Sequence, residues 1–283
     1  MPVGKENMTA SLRFRCVVGS LLALGLAASA QAVEVLSTAR ARMYRAASHE
    51  AWEAALRLAG DLKLGLERRD RQGQLFVTGW QRVAAYEGKG MSSKALENGQ
   101  VPERFQLHVF VPASTEPARV YVDAILVTRP SGIGGGIHYV VYEVEDVSRW
   151  FLSKLEERLG EKGLPVPADQ ATRARQSHEM GGPEPCVPER LGGTIQEPKA
   201  LYKHEPLFPN RDFDKRRAPT VVVEATVGED GAVHQVRPVK GPQDSLTMAS
   251  AANAVALWRY RPVLLGGCQV PLIMTVTVNF RSY

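Results

Sequence analysis

The sequence predicts an α+β fold in two domains, on three observations. Strand-like segments follow one another instead of alternating with helices, which points away from a parallel sheet. Helical stripes bracket the first run of strands, and a further helix interrupts the second. Between the runs, Pro165, Pro167, Pro183, Pro185 and Pro188 alternate with Gly181-Gly182 and Gly192-Gly193, and apolar periodicity vanishes, as in a linker. The division expected is a leader over residues 1–32, a helix–antiparallel sheet–helix domain over 33–163, a linker over 164–194 and a ββαβ domain over 195–283. The linker should be extended where proline is dense and give the two modules independent reach.

In the leader, Lys5, Arg13 and Arg15 precede a mostly apolar run over 16–28, and Ala30-Gln31-Ala32 follows. A positive region, a short apolar region and an A-x-A site form a secretory signal, and the run falls short of the ~20 residues a membrane span needs. Cleavage after Ala32 would leave a soluble chain beginning Val33-Glu34. Retention as an inner-membrane anchor is the alternative, and membrane contact is expected only in that case. Loss of Lys5, Arg13, Arg15 and Glu6 lowers the formal charge from +5 to +3, too mild a balance to indicate nucleic acid as a partner. Lys215-Arg216-Arg217 reads as a solvated turn or helix end, not a binding site. With Cys16 removed, Cys186 and Cys268 form a candidate disulfide, the alternatives being free thiols or a mixed disulfide. Neither has a Cys or His at metal-ligand spacing, so no metal is expected.

The first domain opens on a helix over 49–61, with Ser48 as its cap, Trp52, Ala55, Ala59 and Leu62 on its buried face, and Ala47 against Trp52. Strands are expected over 64–69 and 74–83, turned by Asp70-Arg71-Gln72-Gly73, then over 104–111, 118–128 and 137–144. Phe105, Leu107, Val109 and Val111 alternate with Arg104, Gln106, His108 and Phe110, and Val120, Val122, Ala124 and Leu126 with Tyr121, Asp123, Ile125 and Val127. A closing helix over 147–159 has Asp146 as its cap, an apolar stripe of Val147, Trp150, Phe151, Leu155 and Leu159, and Gly160 as its stop.

In the last third, a strand over 220–227 turns at Gly228-Glu229-Asp230-Gly231 into a second over 233–239. Asp244-Ser245 caps a helix carrying Leu246, Ala249, Ala252, Asn253, Ala256 and Leu257, which Trp258-Arg259-Tyr260-Arg261-Pro262 ends. Gly266-Gly267 releases a final strand over 270–281. There Leu272, Met274, Val276, Val278 and Phe280 alternate with Ile273, Thr275, Thr277 and Asn279, one apolar face and one largely polar.

This ordered set, with its Val221-Val222-Val223 strand, acidic glycine turn, Trp258-to-Pro262 helix exit and Thr275-to-Phe280 finish, resembles the TonB C-terminal domain family over about 195–283. Lys203-His204-Glu205-Pro206-Leu207-Phe208-Pro209 is similar to the family's leading segment, with Phe208-Pro209 for the usual Tyr-Pro and Ala218-Pro219 where a glycine is usual. The resemblance implies the Gram-negative periplasm, and a partner segment, of an outer-membrane transporter or another envelope protein, that adds as a strand to the sheet edge. Ile273, Thr275, Thr277 and Asn279 on the last strand are the expected contact residues, and edge pairing between copies would make a homodimer. Energy-transducing members keep an N-terminal membrane anchor, which this leader does not supply if cleaved. The first domain, by element order alone, is similar to helix-grip modules of envelope lipoproteins, which implies a groove between sheet and helix. A soluble carrier or chaperone using that groove is the alternative function.

No constellation supports an enzyme or a cofactor. Ser131-Gly132-Ile133-Gly134-Gly135-Gly136 lacks the strand-then-helix setting of a phosphate loop. His108, His138, His204 and His234 have no ligand spacing, no G-x-S-x-G elbow occurs, and Glu143 and Glu145 form an ordinary surface pair. Trp258, Tyr260 and Pro262 are expected to pack the helix end on the sheet.

Overall fold

A computed structural model of the chain describes residues 33–34, 40–91, 100–130, 139–142, 145–167, 170–182, 198–206, 219–265 and 267–280. The leader, the 131–136 loop, His138, Glu143, Cys186, Phe208-Pro209 and Lys215-Arg216-Arg217 lie outside these residues. None of the described helices is long and apolar enough to cross a membrane.

The elements in order are β1 (Val33–Glu34), β2 (Ala41–Tyr44), α1 (Ser48–Asp61), β3 (Leu66–Asp70), β4 (Leu75–Thr78) and β5 (Gln81–Arg82). Next come β6 (Gln100–Phe110), β7 (Ala118–Pro130), β8 (Tyr139–Tyr142), α2 (Glu145–Leu159), β9 (Leu164–Pro165) and α3 (Gln170–Glu179). Then follow β10 (Ala200–Tyr202), β11 (Thr220–Val227), β12 (Val233–Lys240), α4 (Ser245–Ala256), β13 (Arg259–Tyr260), β14 (Val263–Leu265), β15 (Cys268–Val270) and β16 (Leu272–Asn279). The class is α+β.

The larger sheet is antiparallel, ordered β3-β4-β6-β7-β2-β9, with β5 also on β6 and β8 on β7. Helices α1 and α2 cover one face. Trp52, Ala55 and Ala59 from α1 and Val147, Trp150, Phe151 and Leu155 from α2 join Phe76, Phe105, Leu107, Val109, Val120 and Val122 in one core. Rings fill the space under α2: Trp150 lies 5.7 Å from Tyr86 and 6.2 Å from Phe105, and Phe151 lies 6.4 Å from Phe76. The groove implied there by the helix-grip resemblance is occupied by the protein's own side chains, which removes the support for a carrier at that place.

Two helix starts differ from expectation. Ser48 is the first residue of α1, not its cap, because its hydroxyl is drawn to the Thr115 carbonyl. Ala47 takes the cap position, where its N–H donates to Glu50 (3.3 Å), the reciprocal half of a capping box. Helix α2 begins at Glu145, so Asp146 falls inside its first turn, 3.4 Å from Arg149. Gly160 ends α2 as expected, at φ +69° with its N–H on Glu156 (3.0 Å).

The second sheet has the order β1-β12-β11-β16, all antiparallel, with α4 on one face. Asp244 caps α4 by accepting from the N–H groups of Leu246 and Thr247, both at 3.1 Å. The hydrogen bonds to Thr247 chiefly hold its carboxyl below the usual range. Trp258 and Tyr260 are buried in this core, at the end of the helix. The last strand is shorter than 270–281, because Pro271 separates β16 from β15, which pairs with β14 in a hairpin.

The stretch read as a linker is the main correction. Leu164–Pro165 adds to the larger sheet beside β2, and Gln170–Glu179 is helical. The larger sheet's second face is covered as well. Ala41, Met43, Leu75, Val77, Phe110 and Tyr121 pack with Val166, Ala232, Met180, Leu201 and Tyr202. Independent reach of two modules is therefore replaced by direct packing of the second sheet and α3 onto the first sheet.

Candidate partner-binding edge

The face of β16 toward α4 carries Val276 and Val278, and Phe280 follows on it. All three pack with Val221, Val223 and Ala225 of β11 and with Ala251, Ala252 and Val255 of α4. Ile273, Thr275, Thr277 and Asn279 are exposed, with Ile273 at 74%. β16 therefore has the alternation expected of it.

Its hydrogen-bond phase is fixed by one contact. The Phe280 N–H donates to the Pro219 carbonyl (3.3 Å), just beyond the Thr220↔Asn279 pair. Successive residues of a strand direct their backbone groups to opposite sides. Val278, Val276, Met274 and Leu272 therefore bond to β11, while Asn279, Thr277, Thr275 and Ile273 direct N–H and C=O away from it. Thr220 and Asn279 face each other as a non-bonded backbone pair and join through their side chains, Thr220 Oγ1 to Asn279 Oδ1 at 3.0 Å. Among the described residues no strand pairs with the outer side of β16. The four residues singled out from the sequence are thus brought together as one row of outward-facing backbone groups.

The exposed face continues across the sheet. Glu224 on β11, opposite Thr275, accepts from Arg237 on β12 at 2.7 and 3.1 Å. Cys268, half-buried at the start of β15, stands apart from this row, and its expected partner Cys186 lies outside the described residues.

A second cluster was missed by sequence reasoning. Asp230, read only as a turn residue, is fully buried against the larger sheet. It accepts from Tyr121 Oη and from Arg119 (3.2 Å), takes the Ala232 N–H (3.0 Å) and lies 2.9 Å from His234 Nε2. Its neighbour Glu229 accepts from Arg119 (2.6 Å) and, through both oxygens, from Arg173 of α3 (3.1 Å each). Burial opposes ionisation of Asp230, but His234, Arg119 and Arg173 outweigh it and hold its carboxyl well below the usual range. Glu229 is likewise lowered, Arg173 and Arg119 overcoming burial and the Asp230 charge. The turn needs glycine: at Gly231, φ is +81° and a Cβ would stand 2.1 Å from the Tyr260 carbonyl oxygen. Beside it, Asp123 of β7 bridges Arg40 (3.1 Å) and Arg259. The sequence hints at this on β7, where Tyr121, Ile125 and Val127 make the second face apolar too, the mark of a sheet covered twice.

His108 and His204 meet at the same interface, ring centroids 5.2 Å apart, beside Tyr202. Burial pushes His108 well below the usual imidazole range, helped by His204 and Arg259, and pushes His204 down to about 4. Neither His108 nor His234 joins a metal-binding group among the described residues.

The second sheet is thus a small antiparallel sheet with one face on a helix and, among the described residues, an edge strand with no strand on its outer side. Residues 204–282, under a third of the chain, match the family model of the Gram-negative bacterial TonB protein C-terminal, and this match implies a TonB-type protein-interaction role in envelope transport. The match spans β11 to β16 and leaves the larger sheet outside it. Comparison with curated proteins returns no match.

Proposed function

We propose that this protein is a non-enzymatic adaptor of the Gram-negative envelope, which takes a periplasm-facing segment of an outer-membrane transporter as an added strand on β16. The observation that carries this reading is the row of outward backbone groups at Ile273, Thr275, Thr277 and Asn279. An antiparallel segment laid along it gains main-chain hydrogen bonds from alternate residues, and its side chains alternate between the Met274–Val276 side and the Thr275–Thr277 side.

The packing of the second sheet onto the first favours a rigid carrier of that edge over a long tether. Arg40 is fixed by Asp123 only twelve positions after residue 28, a reach of about 40 Å even when fully extended. A retained leader would thus hold the body close to the inner membrane, so the reading includes leader cleavage and a soluble periplasmic protein working alongside a transducer. It also includes the candidate Cys186–Cys268 disulfide, these being the two cysteines that follow residue 32.

Binding of transporter-derived peptides to the wild-type chain and to Thr275→Pro/Thr277→Pro tests the proposal. Loss of binding with the fold intact supports it, and undiminished binding rejects it.

A further inference from the structure

The second sheet has two edges, and they are built differently. Because Val221, Val223 and Ala225 bond to β16, Val222, Glu224 and Thr226 must bond to β12. The Gly228 N–H bond to Ala232 (2.8 Å) agrees with this phase. On β12, Gln235 and Arg237 oppose Thr226 and Glu224 and so face β11. Val236 and Pro238 face outward.

Both outward positions are closed. Pro238 has no N–H to offer a further strand, the placement that proline takes at a sheet edge. Val236 is opposite Val33 of β1, in the phase where two residues exchange both backbone bonds. Six positions beyond Glu34, Arg40 is buried on Asp123, whose other oxygen holds Arg259 of the second-sheet module. The N-terminal segment is thus tied to one sheet at Val33 and to the interface at Arg40.

We infer that Val33–Glu34 is a strand supplied in cis that, with Pro238, closes the β12 edge, so that added strands, from a partner or from a second copy of this chain, are directed to β16. The inference rests on the reading of β16 as the partner edge for its consequence, but its structural part is tested without any partner. Pro238 is tolerated because its nitrogen faces away from β11, beside the stretch that β1 covers at Val236 and Gln235.

Residue-resolved amide exchange on the full chain as isolated from the envelope provides the test. The Val236 amide exchanges at least tenfold more slowly than the outward amides of Thr275 and Thr277. In Val33→Gly/Glu34→Gly, which weakens β1 without touching β12, the Val236 amide accelerates by about tenfold while the β11 ladder is unchanged. Adding Pro238→Thr to that variant restores an N–H to the edge and produces self-association visible by sedimentation. A Val236 amide as fast as those of Thr275 and Thr277 in the wild type overturns the inference, as does one still slow in the double glycine variant. If transporter peptides fail to bind while Val236 behaves as expected, the β16 reading falls and the cis strand stands.

Discussion

Tyr121, on the larger sheet, donates its hydroxyl hydrogen to Asp230, in the hairpin turn of the second sheet, across 109 positions of sequence. The same carboxylate accepts from Arg119, and Glu229 beside it holds Arg119 and Arg173, so β7 and α3 meet on one acidic turn. Burial pushes the Tyr121 phenol well above its usual range and the Asp230 charge raises it further, keeping the hydroxyl a donor.

Removing one member of this cluster leaves buried charge uncompensated. Asp230→Ala is expected to lower stability by about 3–5 kcal/mol in urea unfolding. The larger sheet and the second sheet are expected to unfold in one transition in the wild type and to separate into two in this variant. Unchanged stability would mean that the turn does not anchor the interface.

Gly231→Ala combines a positive φ with a contact to the Tyr260 carbonyl at 2.1 Å. It is expected to cost roughly 2–4 kcal/mol, read from the denaturation midpoint, more than an ordinary surface glycine substitution.

Acid should weaken the fold in two stages. Burial lowers His204 to about 4 in the folded chain against about 6.5 for a free imidazole, so the unfolded chain binds more protons between those limits. Stability therefore falls as pH drops from about 6.5 toward 4, by up to roughly 3 kcal/mol for this one group, and His108 acts in the same direction. Asp230 and Glu229 are lowered, so their contribution is present at neutral pH and is lost at still lower pH. His204→Asn should reduce proton uptake on unfolding by up to one in the upper window and leave the lower stage in place.

The phase of β16 makes proline a discriminating probe. Thr275→Pro removes an outward N–H and should cost the fold about 1 kcal/mol or less, whereas Val276→Pro removes a ladder bond to β11 and should cost roughly 3 kcal/mol. Equal losses in thermal unfolding would put the phase out of register.

What was legible in the sequence were the features written locally. The alternation at Leu272–Asn279, the Asp244 cap and the Gly228–Gly231 turn depend on neighbouring residues, and each stands where expected. What was not legible depends on distant segments. Arg173 lies in a stretch whose prolines and glycines suggested a tether, yet Glu229, fifty-six positions away, gives helix α3 its place. The local pattern at Ser48 suits a cap, yet Thr115, sixty-seven positions away, takes its hydroxyl. The short β10–β13 and β14–β15 pairs are two or three residues long, too short for periodicity to register.

The central claim is strand addition at β16, and amide exchange of the full chain with and without a transporter-derived periplasmic peptide tests it most directly. Strand addition slows exchange at Ile273, Thr275, Thr277 and Asn279, with the amides of Met274, Val276 and Val278 already slow before binding. Saturating peptide that leaves those four amides fast, or that protects another surface instead, would contradict it.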